Sequence, residues 1–168
     1  MSVPTLLQIV CLALFAILLV AAAAQDLRTM HIANEFSLAI VALSAIAAAA
    51  GLASSQLSLP ALGMALACAA GVFAVGTAAF AAGALGGGDV KLLAAVSLFV
   101  GPAWLFDFLA ITAVAGGLIG IAILAGAPIG RPVAAGGGSL RARLHGGMPY
   151  GPAISAGGLW VAASLGLS

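Results

Sequence analysis

Charge is almost absent from this chain: five lysines and arginines and four aspartates and glutamates among 168 residues, 5% of the whole, where a soluble domain carries about 25%. So few charges cannot make a water-facing shell around a core. With a net charge of +1 and no basic run, the chain also offers nucleic acid no electrostatic footprint, and that ligand is set aside. Cysteine is equally scarce. Cys11 and Cys68 stand far apart inside apolar runs, without CxxC spacing or a neighbouring histidine, so they read as small buried hydrophobes and no metal site is expected. HExxH, GxSxG and GxxxxGK[ST] are all missing, which removes the residues that zinc-peptidase, serine-hydrolase and P-loop chemistry need. His31 and His145 fall in separate connections and read as interfacial and loop residues.

Apolar side chains fill the space, at 64% of the sequence. One crossing of a hydrocarbon layer takes about 20 such residues, which leaves room for roughly six spans and no separate soluble domain. The expected fold is therefore all-α and polytopic, a single membrane-embedded domain over residues 1–168. Apolar runs and their breakers put the spans at Val3 to Ala24, Glu35 to Leu52, Leu59 to Ala82, Asp89 to Gly101-Pro102, Asp107 to Ala125 and Tyr150 to Leu167. The fourth and fifth share little sequence, so both should be short. The first could pass for a secretory signal. Its run is too long for a signal core, however, and Met1 to Pro4 holds no Lys or Arg, so it reads as a retained span.

Topology follows from the cations. Arg28, Lys91, Arg131, Arg141 and Arg143 all fall after spans one, three and five, which by the positive-inside rule turns those connections to the cytoplasm and both termini to the other side. Asp26, Glu35 and Asp89 then share the cytoplasmic face, while Asp107 is alone across the membrane as a loop or helix-start residue. A carboxylate at membrane depth costs about 2.5 to 3.5 kcal/mol on insertion scales, so Asp26 and Asp89 at corresponding depth require a reason. Three compete. Both are interfacial, with Asp89 capping a helix; or they form a proton or cation site in a small transporter; or they are a catalytic pair. Two carboxyls sharing one site hold a single proton between them. The ionised member can take a proton from water as it attacks a carbonyl, and the protonated member can donate to the oxygen or the leaving amine.

The stretch GALGGGDVKL puts Gly86, Gly87 and Gly88 directly before Asp89. Three glycines clear side chains away and let another backbone approach, which suits an extended peptide substrate. Lys91 reads as a topology-setting cation or as a modulator of the acidity of Asp89.

Three motifs carry a resemblance to a known family. GGGD at Gly86 to Asp89 resembles the GxGD motif of membrane aspartyl peptidases. DLRTMHIAN, from Asp26 to Asn34, is similar to the D-x5-I-P-N pattern of the type IV prepilin peptidases, and MPYGPAISAGG, from Met148 to Gly158, resembles the stretch opening their last helix. The resemblance implies a peptidase that removes the leader of prepilins or pseudopilins at the cytoplasmic face of a bacterial inner membrane. Asp26 and Asp89 would be catalytic, and no cofactor is implied. Gly86 and Gly88 would shape the loop before Asp89, Asn34 and Lys91 would help shape the site, and Tyr150, Gly151 and Pro152 would support it from the last span. The partners implied are the leader and hydrophobic helix of the substrate, and membrane lipid.

Two departures stand out. Ala33 occupies the usual proline position, which could loosen the turn between the first two spans. The cysteine-bearing insertion associated with methylation in larger members is absent between those spans. Cleavage without methylation is expected, as in the small peptidases of tight-adherence (Flp-type) pilus systems or of archaeal flagellin-like filaments, and the Ala-rich sequence suits the bacterial small type. Two other classes remain open: a small transporter built on the same aspartates, and an inactive assembly factor that retains the motifs. No internal repeat of the transporter kind is found.

Overall fold

The computed structural model describes residues 3–127 and 149–167, and every element within them is an α-helix. Helix α1 (Val3–Thr29) does not stop at Ala24. It runs on through Gln25, Leu27 and Arg28, all good helix formers, and so carries Asp26 in its last turn rather than in a loop. The helix closes where Met30 swings to φ 54° and donates its N–H to the Asp26 carbonyl at 2.8 Å. The Thr29 hydroxyl reinforces the stop by bonding the Gln25 and His31 carbonyls.

Helix α2 (Asn34–Ala53) begins after a short connection whose last residue, Ala33, sits at φ −67° and ψ 142°. That φ is the one a proline ring fixes, and the ψ is that of the polyproline conformation proline readily takes. Alanine there leaves the folded turn unchanged and only enlarges the freedom of the unfolded chain. Ala33→Pro is accordingly expected to stabilise the protein by about 0.4 to 1 kcal/mol. A melting temperature in detergent that falls instead of rising would refute this.

Ser58 caps α3 (Leu59–Ala81) by accepting the Ala61 N–H at 3.3 Å, and Pro60 occupies the first turn, where its missing N–H costs nothing. Helix α4 (Gly87–Leu124) is 38 residues long, about 57 Å if straight and nearly twice a ~30 Å hydrocarbon core. It is not straight. Gly101 has φ 70° and ψ 176°, outside the helical region, and Pro102 follows at once.

Contacts on either side of Gly101 show what the break does. Along the first arm, Asp89 lies within electrostatic reach of Asp26 and Phe99 stacks on Phe15 at 4.0 Å, so that arm runs antiparallel to α1. Helix α5 (Gly151–Leu167) is also antiparallel to α1, with Gly151 at Asp26, and Ser155 and Gly158 at Leu19. Along the second arm the order inverts, since Phe108 and Thr112 meet Gly157 while Gly116 meets Tyr150 and Ala153. The second arm thus returns toward the aspartates, and Gly101 is a hairpin made by one residue. This corrects the expected start of the fifth span at Asp107. The second arm begins at Pro102, and Asp107 lies exposed within it, more than one turn past the break.

Polarity is arranged inside out. Leu6, Ile17, Val75, Phe106, Leu118 and Trp160 are exposed, whereas Asp26, Asp89, Ser97, Thr112 and Ser155 are buried. An apolar outer surface is what lipid requires. Among the described residues, four helices are long and apolar enough to cross a membrane: Leu6–Thr29, Asn34–Ala53, Leu59–Ala81 and Gly87–Leu124. The core joins Phe15 and Leu19 of α1, Ile40 of α2, Leu92, Val96 and Phe108 of α4, and Ile154 and Val161 of α5. The basic connection with Arg131, Arg141, Arg143 and His145 lies outside the described residues, as does Met148.

Candidate active site

The site forms at one end of the bundle, where the last turn of α1 meets the first turns of α4 and α5. Helix continuation through Thr29 turns Asp26 inward, and only 4% of its surface stays exposed. A carboxylate at a helix C-terminus faces the negative end of the helix dipole. Helix α5 offsets this by pointing its N-terminus at Asp26: the Gly151 N–H donates to Oδ2 at 2.7 Å, across 125 residues of sequence.

That approach depends on glycine. A Cβ at position 151 would stand 2.7 Å from the Asp26 Cβ and 2.9 Å from its Oδ2, closer than side-chain packing allows.

Asp89 is held in a parallel manner. It sits in the first turn of α4, and its Oδ2 reaches back to accept the Gly86 N–H at 3.1 Å, one half of a capping box. Asp89 is 9% exposed. Each aspartate therefore anchors one oxygen on a backbone N–H at a helix start. Among the described residues, neither carboxyl has a second hydrogen-bond partner. The two lie within electrostatic reach of each other, and His31, exposed in the α1–α2 connection, lies within reach of Asp26.

What approaches the glycines before Asp89 is the protein itself. A Cβ at Gly86 would meet the Asp89 Oδ2 at 2.7 Å, and one at Gly88 would meet the Ile32 carbonyl oxygen at 3.0 Å. Ile32 is buried. The α1–α2 connection therefore packs on the start of α4, which ties the two aspartate-bearing segments together.

The remaining residues named from sequence divide into two groups. Lys91 and Asn34 are joined, Nζ donating to Oδ1 at 2.8 Å, and both are exposed. Tyr150 instead lays its ring against Gly116 of the second arm of α4, 3.6 Å from where a Cβ would stand, and its carbonyl accepts the Ile154 N–H that opens α5. Pro152 takes the first turn of α5, where a missing N–H is harmless. Of the three residues expected to support the site from the last helix, only Gly151 is seen bonded to a catalytic candidate.

Ser155 was not singled out from sequence, yet its hydroxyl donates to the Leu19 carbonyl at 2.8 Å and pins α5 to α1 four residues below Gly151. A hydroxyl in an apolar span needs a partner, and that signal was present in PYGPAISAGG. Chemically, two buried carboxyls converge with one oxygen each on a backbone donor, an arrangement suited to passing protons to and from a bound water. Among the described residues, no group of three or more His, Cys, Asp or Glu is placed to hold a metal ion.

Comparison with curated proteins and with solved structures returned no match. A family model did match, over residues 13–121, a stretch that contains both aspartates and stops short of α5. The match covers well over half of the sequence, and with it the chain belongs to the type IV leader peptidase family.

Proposed function

We propose that this protein is a membrane aspartyl endopeptidase that cuts the leader from type IV prepilins of the tight-adherence (Flp) kind. Asp26 and Asp89 form the catalytic dyad. The ionised carboxyl takes a proton from water as its oxygen attacks the scissile carbonyl. The protonated partner then supplies a proton to the departing amine, so the dyad ends each turnover with the one proton it began with. The observation that carries this reading is the meeting of the last turn of α1 with the first turn of α4, each carboxyl anchored by a backbone N–H.

Six crossings complete the proposal, counting the two arms of α4 separately and adding α5. Arg28 and Lys91 lie at the aspartate end of the bundle, which supports placing the site at the cytoplasmic face of a bacterial inner membrane. Cleavage proceeds without N-methylation, since the connection from Met30 to Ala33 has no room for an additional domain.

The test uses purified protein in lipid, an Flp-type prepilin and S-adenosylmethionine, with intact-mass readout. The expected result is loss of the leader and a new N-terminus without the added mass of a methyl group. Failure to cut any of several prepilins, together with ion uptake into liposomes, would replace the peptidase reading by a transporter.

A further inference from the structure

A groove of about 590 Å³ opens on the opposite side of the first arm of α4 from Asp89. Three helices line it with the same stripe: Asn34, Ser37, Leu38 and Val41 from α2; Leu66, Ala69, Ala70 and Phe73 from α3; Lys91, Ala94, Ala95 and Leu98 from α4. Each set follows i, i+3, i+4, i+7, one helical face over two turns, about 10 Å of length. Helices α2 and α3 both pack on α4 but scarcely on each other. The seam between them therefore stays open.

Its polarity is graded. Asn34, Ser37 and Lys91 stand at the aspartate end, and all the rest is apolar. Asn34 takes one donor of the Lys91 ammonium at 2.8 Å and fixes its position. An ammonium has three donors, and among the described residues Lys91 makes no ion pair.

We infer that this groove seats the apolar helix of the prepilin substrate, with Lys91 pairing with a carboxylate near the aspartate end of that helix; this rests on the peptidase reading. The matched stripes are the surface into which a further helix packs. Ala69, Ala70, Ala94 and Ala95 let its backbone approach closely. Lys91 is exposed at the end of the apolar seam and keeps two ammonium donors beyond the one Asn34 takes, which complements an occupant with an acid at the same depth. Lys91 and Asp89, two positions apart, face different ways, so the segment to be cut passes over the start of α4 beside Gly86, which is exposed, whereas Gly87 and Gly88 are already faced by Phe80 and Ile32.

The test places a photo-crosslinking amino acid at Ala70, inside the groove, or at Val75, which is 72% exposed on the other side of α3. Both are built in the uncleaving Asp89→Asn background and reconstituted in vesicles with an Flp-type prepilin. Adducts to the prepilin helix are expected from position 70 and not from 75. In the otherwise unaltered enzyme, Lys91→Gln should raise KM about tenfold with little change in kcat, and Lys91→Glu more. Replacing the matching acid of the prepilin by lysine should restore KM for Lys91→Glu. Adducts from position 70 to lipid alone, to a second copy or to the chain itself would overturn the inference, as would equal prepilin adducts from both positions. Normal cleavage with KM unmoved by Lys91→Glu would overturn the docking site and leave the peptidase standing. Adducts from position 70 with a wild type that cuts nothing would do the reverse.

Discussion

Asp26→Asn and Asp89→Asn are each expected to lower kcat for leader removal by about 10³-fold or more, while the protein folds and melts as before. Asparagine keeps the shape of aspartate, and its amide oxygen can still accept the Gly151 N–H at position 26 or the Gly86 N–H at position 89. What it loses is the ability to hold and release a proton. General acid-base catalysis contributes about 10² to 10⁴-fold, and a dyad gives up both halves of its proton cycle when either member is neutralised. The double variant should therefore be no slower than the worse single variant, since residues acting as one unit are not additive. Stability should hold or rise slightly, because each change removes a buried ionisable group. Initial rates from leader-peptide release, with a melting curve for each variant, decide it. A single Asn variant cutting within tenfold of wild type would end the dyad assignment. A double variant slower by the product of the two single losses would mean that the aspartates act independently.

How far the sequence carried depends on the kind of signal. Hydropathy and breakers located the helices to within a few residues, as at Leu59 with its Ser58 cap and Pro60. Two boundaries failed for one reason. In a chain apolar on every face, periodicity marks no core side, so neither the continuation of α1 through Asp26 nor the start of the second arm at Pro102 rather than Asp107 leaves a pattern in the local residues. The break itself was marked by the Gly101-Pro102 pair, and the backbone angles show that the chain turns there without an intervening loop. For the glycines before Asp89, the local reading was right in kind and incomplete in its object. They admit a close approach, and the Asp89 carboxyl and the Ile32 backbone already use it. Motif resemblance picked out Gly151, but the bond from its N–H to Asp26 spans 125 residues. No window along the chain contains both partners.

That bond supports the second large effect. Gly151→Ala puts a methyl where the Asp26 Cβ would be 2.7 Å away and Oδ2 2.9 Å away. Neither neighbour is the free end of a flexible chain: Asp26 is 4% exposed and anchored in the last turn of α1. Rotation of the Asp26 carboxyl moves Oδ2 but not Cβ, so relief requires α5 to withdraw from α1, which draws the Gly151 N–H off the carboxyl and loosens its hold on Asp26. Withdrawal also strains the bond from the Ser155 hydroxyl to the Leu19 carbonyl. A catalytic group misplaced by about 1 Å costs on the order of 10²-fold in rate, while overpacking costs about 1 to 3 kcal/mol in stability. Gly151→Ala is therefore expected to cut kcat about 10²-fold with KM little changed, because the groove lined by Lys91 and Ala70 lies on the far side of α4. Gly151→Val should be worse. The control is Gly117→Ala in the second arm of α4, where a Cβ meets nothing within 4 Å; it should leave kcat unchanged and gain slightly in helix stability. If Gly151→Ala retains kcat within about threefold of wild type, the α5 N-terminus does not position Asp26. If instead KM rises while kcat holds, the last helix acts on substrate binding rather than on the carboxyl it touches.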